Sequence, residues 1–125
     1  MADKRLIHTK LLLSDDFNSL TFRQQSGWFR LLLVADDQGR FVAKPTIVRS
    51  QLFPDTDISL EDIEEDLQAW QTRGMIHIYT IDDRDYLQVM HWWKYQALQW
   101  AKPSDFPAPD GWVDRVRVQR GKGDH

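Results

Sequence analysis

Residues 59–90 read SLEDIEEDLQAWQTRGMIHIYTIDDRDYLQVM, and this stretch decides the fold. Ser59 is a helix-capping residue ahead of Leu60, Ile63, Leu67 and Trp70, an apolar stripe at helical spacing. Gly74 is placed as the C-cap of that helix, over residues 59–73. Two β-runs follow, Met75 to Ile81 and Tyr86 to Met90. Asp82-Asp83-Arg84-Asp85 separates them as a hairpin loop of the longer kind.

Upstream, Thr21 and Gln24 match a capping box. Trp28, Leu31, Leu32 and Ala35 then recur at helical spacing. Gly27 inside that helix costs about 1 kcal/mol relative to Ala, which a close helix crossing would offset. Ala35-Asp36-Asp37-Gln38-Gly39 ends the helix, with Gly39 suited to a left-handed turn. Arg40 to Ala43 is a very short strand. Pro45 suits the first turn of the next helix, which stops at Phe53-Pro54. Before all this, Leu6 to Leu13 reads as a strand or extended arm, and Ser14 as the N-cap of a short helix ending before Leu20.

Downstream, residues 91–102 carry Trp92, Trp93, Tyr95 and Trp100, and His91 reads as a partly buried strand-end residue. Lys102 to Gly111 is Pro-rich and extended. A segment this apolar does not fold alone and must wrap its own domain or a neighbour's. The organisation expected is a domain over residues 1–90 and an aromatic, Pro-rich arm with a basic tail over 91–125.

The chain has 125 residues, one domain's worth, with 42% hydrophobic and 28% charged residues. It has no cysteine, which excludes disulfides, thiolate metal sites and thiol nucleophiles. No apolar run approaches a membrane span and no signal-peptide core follows the N-terminus, so a cytoplasmic protein is expected. The net charge of −3 conceals a block pattern. Residues 1–54 carry +3, residues 55–85 carry −8 and residues 86–125 carry +2. The acidic middle repels phosphate locally.

Helix, short strand, helix, helix and hairpin is the order of an α+β winged helix, a helix-turn-helix with a β-hairpin wing. The chain also resembles the N-terminal winged-helix domain of phage replication-initiation proteins, the replisome-organiser group related to DnaD-type helicase loaders. The resemblance rests on Arg5-Leu-Ile-His-Thr-Lys10, on Leu32-Leu-Val-Ala-Asp-Asp-Gln-Gly-Arg-Phe41, on Leu52-Phe-Pro54 and on Gly74-Met-Ile76. It continues in Tyr86-Leu-Gln-Val-Met-His-Trp92 with Lys94 and Gln96, and covers roughly residues 5–110. It implies an initiator or helper acting on DNA in phage replication, in a bacterial cytoplasm. Such proteins usually carry a further C-terminal region for oligomerisation or helicase-loader contact.

The charge pattern departs from what that implies. Helix-turn-helix domains lay the second helix of the motif, here residues 59–73, in the major groove. Its outward positions are Glu61, Asp62, Glu65 and Gln68, and base readout favours Arg, Lys, Asn and Gln instead. Two readings stand. In the first, DNA is bound through phosphates by Arg40, Lys44, Arg49, Lys94 and Lys102, with the tail Arg115, Arg117 and Arg120. Trp93, Tyr95 and Trp100 are candidates to stack on single-stranded bases. In the second, Glu61, Asp62 and Glu65 recruit a replication partner such as a helicase or loader, and the chain is an adaptor that also self-associates.

Enzyme chemistry finds no support. Asp36 and Asp37 are adjacent and do not converge as an acid and base. Asp55-Thr-Asp57 opens like a calcium loop, but Leu60 stands where Gly is needed and Asp66 where Glu is needed. His8, His77, His91 and His125 lack metal-ligand spacing, and no Gly-rich loop cradles a phosphate. No cofactor and no metal are expected.

Overall fold

The computed structural model describes residues 2–116. After an extended start, a 3-10 helix over Thr9–Leu13 leads into α1 (Asp15–Asn18). Then come α2 (Phe22–Val34), β1 (Arg40–Val42), α3 (Pro45–Leu52), α4 (Leu60–Thr72), β2 (Ile76–Ile81), β3 (Arg84–Val89) and α5 (Trp92–Tyr95). The architecture is α+β, with the helices beside a three-stranded antiparallel sheet in the order β1-β3-β2. Leu6 to Leu13 is not a strand; its second half is the 3-10 helix.

The helix starts follow the local chemistry. Ser14 caps α1 by accepting from the Phe17 amide. Thr21 with Gln24, and Ser59 with Asp62, form full capping boxes at α2 and α4. Pro45 opens α3 in the first turn, where its missing N–H costs nothing.

Strand chemistry differs from expectation at the hairpin. The turn is two residues long, Asp82-Asp83, with φ of 52° and 63°. Two successive left-handed residues make the type I′ geometry that matches strand twist, and Asp tolerates that conformation better than most residues. β3 therefore begins two residues earlier than the alternation of apolar residues indicates.

The core sits between the helices and one face of the sheet. Leu31, Val48, Leu52, Ile63, Trp70, Ile76 and Leu87 are almost fully buried there. Leu60 is only half-buried, so the α4 stripe begins effectively at Ile63. Helix α2 crosses α4 at Gly27, where a Cβ would lie 3.0 Å from the Trp70 ring and 3.1 Å from Phe53. Trp70 in turn donates its indole N–H to the Gln24 carbonyl at 3.2 Å. The close crossing thus offsets the cost of glycine in the helix.

Gly27→Val is expected to overpack this crossing and destabilise the chain by about 1–3 kcal/mol. Urea unfolding should show a lower midpoint with an unchanged slope.

Candidate nucleic-acid interface

The turn between α2 and β1 gathers the polar groups from which the candidate surface is built. Asp36 accepts from the amides of Gln38 and Arg40, and Gly39 at φ 80° lets the chain reverse. A Cβ at Gly39 would lie 2.7 Å from the Trp92 ring, and Trp92 donates to the Asp37 carbonyl at 2.8 Å. The Asp37 carboxylate is buried and accepts from the Ala2 amide at 2.9 Å, Arg5 at 3.3 Å and the Lys102 amide at 3.1 Å. Burial alone would raise its pKa. The two backbone amides and the Arg5 charge outweigh that and hold it below the ordinary carboxylate value.

The C-terminal segment folds back onto its own domain. The Gln38 side chain donates to the carbonyls of Lys102 and Arg115 and accepts from the Arg115 amide. Ser104 donates to Asp36, and Tyr79 donates its hydroxyl to the Pro107 carbonyl. Burial pushes the Tyr79 phenol up to about 12.

Arg40 is not at the surface, which corrects its expected place among exposed phosphate contacts. Its side chain is 1% exposed. Nε donates to Gln88 at 2.8 Å, Nη1 donates to the Phe106 carbonyl at 3.2 Å, and both terminal nitrogens reach the Asp114 carboxylate. Burial pulls the guanidinium pKa down from its usual value, against the opposing influence of Tyr79 and Asp36. Arg40 heads a strand whose partner is Gln88, and that sheet face is covered by residues 106–114.

The other expected cations are exposed or half-exposed but do not converge. Lys44 is the exposed N-cap of α3, and Arg49 stands in the last turn of that helix, half-buried. Lys44 follows Ala43, whose amide bonds to Asp85 at the hairpin end of the sheet. Lys102, exposed, is tied by its amide to Asp37 at the opposite end. Lys94, exposed on α5, lies over the Tyr95 ring at 5.4 Å. Arg115 lies over the Trp93 ring at 5.1 Å. Arg117 and Arg120 lie outside the described residues. Trp93 is half-buried, whereas Tyr95 and Trp100 are exposed. His91 is exposed rather than partly buried, with a left-handed φ of 58°.

The acidic helix carries more internal pairing than its outward pattern indicates. Asp66 is fully buried and takes Arg23 of α2 in a two-oxygen contact, the shortest at 2.7 Å. Arg23 also lies 3.7 Å from Asp62 and 3.6 Å from Glu65. The hydrogen bonds to Ser59, its amide foremost, together with Arg23, hold Asp62 below its usual pKa. Glu61, Glu64 and Gln68 remain exposed on α4. Among the described residues no group of three or more His, Asp or Glu is placed to hold a metal ion, and no helix is long and apolar enough to cross a membrane.

Sequence reasoning missed Gln38, Gln88 and Asp114 as buried or burying polar groups. The only signal in the sequence was Gln88, a polar residue within the run Tyr86-Leu-Gln-Val-Met90.

Two measurements check the polar framework. Asp37→Asn should cost about 2 kcal/mol at neutral pH, the size of charge-assisted hydrogen bonds at a buried site. A carboxylate with a depressed folded pKa stabilises above its unfolded value, 3.8, and loses that contribution as the pH falls through the folded value. The difference between parent and variant in urea unfolding should therefore shrink below about pH 4. Asp66→Ala, which opens a buried gap and leaves Arg23 only its longer contacts to Asp62 and Glu65, should cost about 2 kcal/mol, the size of a charge-assisted hydrogen bond. Comparison with protein-family models, with curated proteins and with solved structures gives no match for this chain.

Proposed function

We propose that this chain is a winged-helix module of the phage-type replication-initiation proteins, that it catalyses no reaction, and that it associates with DNA through cations outside α4. Its element order and the β1-β3-β2 sheet fit that architecture, with α3 and α4 as the helix pair and β2-β3 as the wing. The observation that carries the DNA contact is the start of α3. Its N-cap is Lys44, which makes no side-chain cap and places a cation at the positive end of a helix. That choice is unfavourable for the helix and favourable for an anion, because the exposed ammonium adds to the positive end of the helix dipole; free amides contribute little, since Pro45 has no N–H and the Ile47 amide bonds to the Lys44 carbonyl. Arg49, Lys94 and Lys102 add separate phosphate contacts at other points of the surface.

A second reading is supported by the exposed carboxylates Glu61, Glu64 and Glu65 and by the Asp82-Asp83 tip. These suit a basic protein partner, such as a helicase or its loader, and disfavour insertion of α4 and the wing into DNA.

Fluorescence anisotropy with labelled duplex and single-stranded DNA separates the readings. Parent binding should weaken steeply from about 50 to about 200 mM salt. The double variant Lys44→Glu/Arg49→Glu should bind more weakly, with a salt slope reduced by about 1 for each phosphate it no longer neutralises. If that variant binds like the parent while Glu61→Lys/Glu65→Lys loses a protein partner, the adaptor reading replaces the DNA reading.

A further inference from the structure

The second face of the sheet does not pack on the helical core, and the strand register shows what it carries. Directly paired residues project to the same side of a sheet. Arg40 pairs with Gln88 and His77 with Gln88, while Val42 and Tyr79 both pair with Tyr86. One face therefore bears Arg40, Val42, Gln88, Tyr86, Tyr79 and His77. The rings form a run: His77 to Tyr79 at 5.8 Å and Tyr79 to Tyr86 at 5.9 Å. An arginine, an amide and a row of aromatic rings on a flat β-surface is the composition of a stacking platform for nucleic-acid bases.

Residues 106–114 lie over this face without adding a strand to it, and Lys102, Ser104 and Arg115 anchor the segment on the Asp36–Gln38 turn. What they place there is specific. Phe106 continues the aromatic run, 5.9 Å from the Tyr86 ring and inclined at 39°. Asp114 puts a carboxylate on the Arg40 guanidinium, whose Nη1 also holds the Phe106 carbonyl. The segment thus sets one flat ring against Tyr86 and one anion against Arg40, the two chemical parts of a nucleotide.

Two further features separate this cover from an ordinary structural one. Part of the covered surface is polar, Arg40 and Gln88 beside the tyrosine rings, and a buried ion pair is a weak source of stability compared with apolar packing. Once uncovered, such a surface tolerates water. The cover is also imperfectly satisfied: the buried indole nitrogen of Trp112 finds no acceptor among the described residues.

We propose that the sheet face bearing Arg40, Tyr79 and Tyr86 is a platform for single-stranded nucleic acid, and that residues 102–116 hold it closed by imitating a base with Phe106 and a phosphate with Asp114. The proposal rests on the DNA-binding reading above and names its strandedness and its control. Single-stranded nucleic acid competes with the segment for the same face.

The test uses the full chain and a labelled oligothymidylate. Phe106→Ala/Asp114→Asn weakens the closed state and is expected to raise affinity about tenfold, the size of one stacked base. Adding Tyr79→Ala should return affinity to the parent's. A double variant that keeps the parent's circular dichroism and melts cooperatively, yet binds the oligonucleotide no more tightly, overturns the proposal. Should that variant not fold, hydrogen exchange on the parent chain decides. The amides of Lys102 and Arg115 are held by Asp37 and Gln38. Their exchange should speed up as oligothymidylate is added to about 100 µM, the weak end of nonspecific affinity. Unchanged exchange there overturns the proposal. Lys44→Glu/Arg49→Glu distinguishes the two sites. If it abolishes parent binding and the opened variants add nothing, the platform falls and the α3 contact stands. If it has no effect while the opened variants bind, the α3 contact falls and the platform stands.

Discussion

The arrangement of both chain ends depends on one constraint, the need to satisfy the polar groups of the Asp36–Gly39 turn once it is buried. A buried carboxylate or amide without partners costs several kcal/mol, so its hydrogen bonds dictate where other segments lie. Asp37 takes the Ala2 amide, Arg5 and the Lys102 amide. Gln38 takes Lys102 and Arg115. The N-terminal and C-terminal segments, neither of which is a strand, are thereby held to the same few residues. Gln96 repeats the device by bonding both backbone groups of Leu6. Side-chain amides do here what a sheet ladder does elsewhere.

The same logic changes the meaning of the charges. A count of Lys, Arg, Asp and Glu treats each as a surface charge. Arg40 and Asp66 are instead interior, each with an opposite charge from a distant element. Arg23 draws three carboxylates of α4 to itself. The acidic helix is therefore partly a docking face for α2, and its negative surface away from Arg23 narrows to the Glu61 and Glu64 side. The basic groups left at the surface are separated rather than gathered into a single groove.

Local signals carried the helices because their causes are local. A capping box spans four residues, a proline at N1 acts on its own turn, and an apolar stripe is set by helical pitch. Gly27 was legible as a crossing because its cost needed an explanation that only proximity supplies. The hairpin misled, because the charged residues Asp82 to Asp85 carry no alternation. Only pairing across the ladder reveals that Arg84 and Asp85 belong to β3.

By itself the sequence determined the α+β class, the helix starts, the buried stripe of α4 and the absence of thiol chemistry, because each follows from composition or from neighbours within a few positions. Tertiary structure alone decided that Arg40 is interior, that Asp66 faces Arg23, and that residues 102–116 close over the sheet. The hydrogen bonds among those contacts join residues 28 to 77 positions apart. Their partners are chosen by burial and by the demand that each buried polar group be paired, and neither is encoded in the spacing of residues along the chain.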